Sequence, residues 1–143
     1  MKIAQILTQN GPFIGTIKAG ASVKHLVDEL RHHNIGALIV SEDGRHIDGI
    51  VSERDVVRKL SEYSGEVANL KVSDIMTTEV RTCTPEESVE DLMQAMTAHH
   101  FRHVPVVEED GSMLAVVSMG DLVRHHLDDL HAPHEAIVDF RKR

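Results

Sequence analysis

The sequence predicts an α+β fold made of two β-α-β-β-α repeats packed on each other about a pseudo-twofold axis. Three observations predict it. "GIVSERD" at 49–55 recurs as "AVVSMGD" at 115–121, so Ser52 and Asp55 return 66 positions later as Ser118 and Asp121. A period of that length in a 143-residue chain marks a duplicated unit. The same offset pairs Ser22 with Ser88, Val23 with Val89, Leu26 with Leu92, Val40 with Val106 and Val51 with Val117, with no gap. Two halves of about 65 residues would each be marginal alone, so their open faces have to meet.

Each element follows from local pattern. "KIAQILT" (2–8) and "KVSDIMT" (71–77) are matching lead-in segments. Short first strands are expected at "FIGTI" (13–17) and "EVRTC" (79–83). Val23, Leu26, Val27 and Leu30, then Val89, Leu92, Met93 and Met96, give the apolar stripe of an amphipathic helix lying on a sheet. Ser22 and Ser88 stand at the N-cap positions, and "HNIG" (33–36) ends the first helix with turn-tolerant residues. "ALIVS" (37–41) and "HVPVV" (103–107) read as strands, "EDG" (42–44 and 109–111) as hairpin turns, "IDGIV" (47–51) and "MLAVV" (113–117) as returning strands. Closing helices start at Ser52 and Ser118, the first running to about Tyr63 and the second to about Leu130, with Pro133 as the stop. The organisation is repeat 1 over 1–66, repeat 2 over 67–130 and a tail over 131–143, in which Ile137, Val138 and Phe140 fit a short helix.

Composition narrows the function. Apolar residues at 41% and charged residues at 27% describe a soluble globular chain, and no apolar run approaches a membrane span. The N-terminal segment lacks a secretory pattern and Cys83 is the one cysteine, which excludes an internal disulfide and fits a cytoplasmic protein. A formal charge of -8 argues against general nucleic-acid binding, and an anionic ligand must then find a local positive patch. Three Phe, one Tyr and no Trp leave little for a single-strand stacking platform.

Ser52-x-x-Asp55 and Ser118-x-x-Asp121 have two readings. One is helix capping, in which Ser and the acid three residues on satisfy orphan N–H groups. The other is ligand binding. Both motifs follow a hairpin strand, so helix N–H groups open at a strand end as anion sites do. A small residue, Gly49 or Ala115, precedes each and would let a ligand approach. A carboxylate can accept from both hydroxyls of a ribose, and a Ser hydroxyl suits a phosphate.

With "DIMT" (74–77), "FRHVPVVEEDG" (101–111), "GIVSERD" and "VVSMGD" in view, the chain resembles the tandem CBS-domain pair, or Bateman module, from "KIAQILT" to about Leu130. It is similar to free-standing bacterial pairs of this length. The resemblance implies a non-catalytic sensor or regulatory module that holds an adenosine nucleotide, AMP, ADP, ATP or NAD, or S-adenosylmethionine, in the cleft between repeats. It also implies homodimerisation and a protein partner whose identity stays open. Carried residue by residue, it places Ser52 and Asp55 in one ribose-phosphate site and Ser118 and Asp121 in the other. Thr16 and Thr82 fall where the adenine and ribose pocket is lined, and Arg102 and His103 match a basic pair that reaches the phosphates, with Arg54 assisting. The first repeat has Gly36 and Ala37 where the second has Arg102 and His103, so the two sites are expected to be unequal.

Other classes remain as alternatives. A scaffold with non-functional nucleotide sites would act only through its surface. Eleven histidines suggest metal binding, above all His99 with His103 or His131 with His134, but no Cys or carboxylate completes a ligand spacing. Catalysis is not expected: Ser52 and Ser118 have no motif-linked base, and no glycine-rich phosphate loop is present. Cys83 is expected to be a buried thiol and Met93 and Met96 to be core residues.

Overall fold

The computed structural model describes residues 1–10 and 15–130. The first half of the strand expected at 13–17 and the whole 131–143 tail lie outside the described residues. In order, the elements are α1 (Ile3–Asn10), β1 (Thr16–Ile17), α2 (Val23–His33), β2 (Ala37–Val40), β3 (Gly49–Ser52) and α3 (Glu53–Tyr63). A 3₁₀ segment (Ser64–Asn69) leads into α4 (Val72–Ile75), α5 (Val89–His99), β4 (His103–Val107), β5 (Met113–Ser118) and α6 (Met119–Asp129).

The helices begin and end where their side chains dictate. Ser22 Oγ accepts from His25 N–H at 3.0 Å and Ser88 Oγ from Asp91 N–H at 2.9 Å, so both sheet-packing helices are capped by the expected serines. Asn34 and His100, equivalent by the repeat, close α2 and α5 in the left-handed conformation. Gly44 and Gly111 hold positive φ in the two hairpins, where a side chain would be strained. The first returning strand is shorter than expected: Asp43 accepts from Arg45 N–H and His46 N–H, which turns 41–48 into a loop and delays β3 to Gly49.

The sheets differ for a single chemical reason. In repeat 1, β1 pairs parallel to β2 and β2 antiparallel to β3. Gly15 carbonyl accepts from Ile39 N–H at 3.1 Å and Ile17 carbonyl from Ser41 N–H at 2.9 Å. In repeat 2, β4 and β5 pair antiparallel, but the strand expected at 79–83 is reduced to one bridge, Cys83 with Val106. Cys83 N–H donates to Pro105 carbonyl at 3.0 Å and its carbonyl accepts from Val107 N–H at 2.8 Å. Pro105 stands where Ile39 stands in repeat 1 and has no N–H to offer the Arg81 carbonyl, so the parallel ladder stops.

Two cores result, and each borrows from the other repeat. Val23, Leu26, Leu38 and Val51 pack with Val67, Val72 and Ile75, which belong to the start of repeat 2. Val89, Leu92, Val104 and Leu122 pack with Ile3 and Ile6 of α1. The lead-in segments are therefore exchanged. Main-chain bonds fix the exchange: Ile3 N–H donates to Glu87 carbonyl and Val89 N–H to Met1 carbonyl, as Val72 N–H donates to Ala21 carbonyl and Val23 N–H to Leu70 carbonyl. Cys83 is 1% exposed in the second core, and burial pushes its thiol up to about 12, so it is inert packing.

Candidate functional site

Both Ser-x-x-Asp motifs form helix caps. At α3, Ser52 N–H and Ser52 Oγ–H donate to Asp55 Oδ2 at 2.8 and 3.1 Å, and Asp55 N–H donates back to Ser52 Oγ at 3.3 Å. At α6, Ser118 N–H donates to Asp121 Oδ2 at 3.2 Å and Asp121 N–H to Ser118 Oγ at 3.1 Å. The next amides are taken as well, Glu53 N–H by Gly36 carbonyl at 3.0 Å and Met119 N–H by Arg102 carbonyl at 2.9 Å. This corrects the expectation of a row of open N–H groups. A phosphate approaching either helix start is met chiefly by side chains.

The role expected of Gly49 is also corrected. A Cβ there would lie 2.8 Å from Thr77 carbonyl oxygen and 3.0 Å from Met76 Sδ, so the glycine admits the 76–77 backbone and not a ligand. Thr77 and Ile50 exchange main-chain bonds at 2.9 Å across that contact. Ala115, buried at the equivalent place, meets no such need for glycine.

Two clefts lie between the repeats. The first, about 760 Å³, is within the size range of small-molecule sites. It brings together Ser52, Arg54 and Asp55 of repeat 1 with Arg102, His103 and Ser118 of repeat 2. Arg58 and Arg81 also line it, giving four guanidinium groups against the carboxylates of Glu53, Asp55 and Glu79. This is a concentrated positive lining in a chain of formal charge -8. The second cleft, about 460 Å³, holds Ser118 and Asp121 opposite Asn34–Ala37, shares His103, and has no Lys or Arg among the described residues of its lining. Thr16 and Thr82 line neither.

The paired carboxylates differ in what they leave open. Asp55 uses Oδ2 for its cap, and Oδ1 has no hydrogen bond or ion pair among the described residues. Asp121 uses Oδ2 for its cap and receives Arg124 Nη2 on Oδ1 at 2.8 Å. Burial raises its pKa, but the bonds from Ser118 and the Arg124 guanidinium outweigh that and hold the carboxyl below its usual value. Arg58, the repeat equivalent of Arg124, faces the first cleft instead. Its match with Arg124 at the 66-residue offset was the one sign of it in the sequence, whereas Arg81 had none beyond sitting beside Thr82.

His103 stands between the clefts, and a Cβ on Gly36 would meet its ring at 3.1 Å. Burial pushes its imidazole below the ordinary value, with Arg102 and Arg54 pushing the same way against Glu53 and Asp121. The folded chain thus refuses a proton that the unfolded chain accepts. Stability from this group is complete above the ordinary histidine value of about 6.5 and is lost as pH falls through it toward the folded value. Thermal melts of the wild type are expected to fall more between about pH 7.5 and 5.5 than those of His103→Gln. Equal slopes would remove His103 from the pH response.

Among the described residues, no three His, Cys, Asp or Glu side chains are grouped to hold a metal ion. His131 and His134 lie outside the described residues. No described helix is long and apolar enough to cross a membrane.

The fold and site define a class: a tandem α+β module whose clefts are each built from both repeats. The CBS domain model matches residues 4–62 and again 72–128, so the chain belongs to the CBS-domain family and carries two such domains in tandem. A mitochondrial CBS domain-containing protein of Arabidopsis thaliana, CBSX3, is 41% identical over 107 residues, which are 72% of this chain and 52% of that protein; the chain spans about half of its length. The CBS-domain containing protein ATU1752 of Agrobacterium tumefaciens superposes with TM-score 0.84 at 31% identity, covering 88% of this chain and 99% of that one. The CBS domain protein PAE2072 of Pyrobaculum aerophilum, solved in complex with AMP, has TM-score 0.78 at 23% identity, covering 92% and 98%, and shares the fold.

Proposed function

We propose that the chain is a non-catalytic regulatory module that binds a phosphorylated adenosine nucleotide, AMP, ADP, ATP or NAD, in the first cleft. The observation that carries this reading is the four-arginine lining around Ser52 and the free Oδ1 of Asp55. Asp55 accepts from the ribose hydroxyls, Arg102 and Arg54 meet the phosphate, and the Ser52 hydroxyl turns from Asp55 Oδ2, which keeps the Ser52 N–H, to donate to the phosphate as well. Ligand in this cleft touches both repeats, so binding tightens one against the other. The AMP complex of a protein with the same fold makes AMP the first probe.

Native mass spectrometry of the purified chain followed by calorimetric titration with the four nucleotides tests it. AMP is expected to saturate at one per chain and to stabilise the fold by about 2.7 kcal/mol at a hundredfold excess over Kd. Arg102→Ala is expected to weaken AMP by about tenfold or more and adenosine little, because the lost bond is to phosphate. If none of the four binds, the module is a scaffold acting through its surface.

That surface has a candidate partner in a second copy of the chain. α3 buries none of its residues, and Val57, Leu60 and Tyr63 on it are 64%, 48% and 46% exposed. Homodimerisation through this face predicts a two-chain mass in sedimentation that Leu60→Glu reduces to one. An unchanged mass in that variant would place any dimer contact elsewhere.

A further inference from the structure

Among the described residues, His103 is the one titratable side chain that lines both clefts. It pairs with Ser118 across β4–β5, and its ring crosses to repeat 1. A Cβ on Gly36 would lie 3.1 Å from its Cε1, 3.2 Å from its Nε2 and 3.5 Å from Glu53 Oε1. The missing side chain at Gly36 thus leaves room for the imidazole in the wall beside the start of α3.

Charged groups surround this ring. Arg102 precedes it in the chain, Glu53 and Arg54 open α3, and Asp121 of α6 stands near with its own partner Arg124. His99 and His100, at the end of α5, line the same cleft, as do Arg58 and Asp55 of α3 and Glu79 and Arg81 ahead of Cys83. Burial, with Arg102 and Arg54 pushing the same way against Glu53 and Asp121, keeps His103 neutral at pH 7. A phosphate changes that balance. The described lining sets four guanidinium groups against three carboxylates, a surplus of one positive charge that a phosphate dianion turns into a surplus of one negative charge. His103 is only partly exposed, so water screens that charge poorly at its ring.

We infer that His103 takes up a proton when the phosphate of a nucleotide binds in the first cleft, so that the chain holds its ligand more tightly as pH falls. This rests on the proposed function of that cleft and adds its regulation. The bound chain carries a proton that the free chain lacks, so affinity rises as pH falls through the bound imidazole's value and levels off below the free one's. As imidazolium the ring is a donor on both nitrogens. One side chain then makes nucleotide binding respond to acidification.

AMP titrated calorimetrically into the full chain at pH 7, in two buffers of different ionisation enthalpy, counts the protons. AMP has little proton of its own to release there, since a phosphate monoester loses its second proton near about pH 6. The wild type is expected to take up about half a proton or more per AMP, and to bind AMP about twofold or more tighter at pH 6.5 than at pH 8. Adenosine is expected to bring no proton. His103→Gln should lose the uptake and the pH dependence, while His99→Gln and His100→Gln keep both. The assigned His103 Cε1–H resonance gives a second measurement that needs no variant: its titration midpoint is expected to move to higher pH when AMP is added, and a midpoint that stays or falls overturns the inference. Uptake that persists in His103→Gln, or that adenosine matches, also overturns it. AMP bound without a proton removes this inference alone and leaves the nucleotide site standing, whereas a chain that binds no AMP removes both.

Discussion

Ile3→Ala is expected to destabilise the protein by about 2–5 kcal/mol, the range for truncating a fully buried aliphatic side chain. The size is unusual for a position so near a terminus, where chains commonly fray. Ile3 is 0% exposed, and apart from Met1, Ile6 and Leu7 of its own segment the core cluster it joins, with Cys83, Val89, Leu92 and Leu122 among its members, belongs to the second half of the chain. Its N–H is held by Glu87 carbonyl at 3.0 Å and that of Ala4 by Pro85 carbonyl at 2.9 Å. The truncation therefore opens a cavity in the core of repeat 2. Urea unfolding measures the loss, with Val27→Ala, 40% exposed, as a control expected to change stability by no more than about 0.5 kcal/mol. A loss below about 1 kcal/mol for Ile3→Ala would mean that α1 does not contribute to that core in solution.

The same exchange shows where reading the sequence stops. The stripes at Val23–Leu30 and Val89–Met96, the serine caps and the turn residues were legible because each is a local rule, satisfied within three or four positions. Nothing local says which core a lead-in segment joins. "KIAQILT" and "KVSDIMT" have equivalent patterns, and only the closed fold reveals that each serves the other repeat. Pro105 is a different case. Its missing N–H was visible in "HVPVV", and laid on Ile39 it accounts for the loss of the strand at 79–83, but the consequence depends on knowing that the partner strand is parallel and in that register.

The candidate site divides the same way. Ser52, Asp55, Ser118 and Asp121 could be found because the motif repeats. That Arg102 and His103 face Ser52 and Asp55, while Ser118 and Asp121 face Gly36 and Ala37, follows from packing between the repeats. The unequal fate of the two carboxylates was hidden for a further reason: Arg58 and Arg124 occupy the same repeat position, yet only Arg124 is bonded to its aspartate.

That difference sets the largest effect expected on binding. Asp55→Ala should weaken AMP by about 1.5–3 kcal/mol, roughly ten- to a hundred-and-fifty-fold, because it removes a charged acceptor whose Oδ1 is open to ribose. Asp121→Ala should leave AMP affinity nearly unchanged, since its oxygens serve the α6 cap and Arg124 and line the other cleft. Both variants lose a cap, worth about 0.5–2 kcal/mol, so affinities are compared at a temperature where each is fully folded. The stability of the wild type should also respond to acid through Asp121. The folded carboxyl is held below its unfolded value, so its contribution is present above about pH 4 and is lost as pH falls through the folded value; Asp121→Ala removes that dependence. Equal loss of AMP affinity in the two variants would show that the clefts act as one site. Loss of stability alone in both would reduce the repeated Ser-x-x-Asp to a capping device and leave the four arginines without the ribose partner that gives the first cleft its proposed ligand.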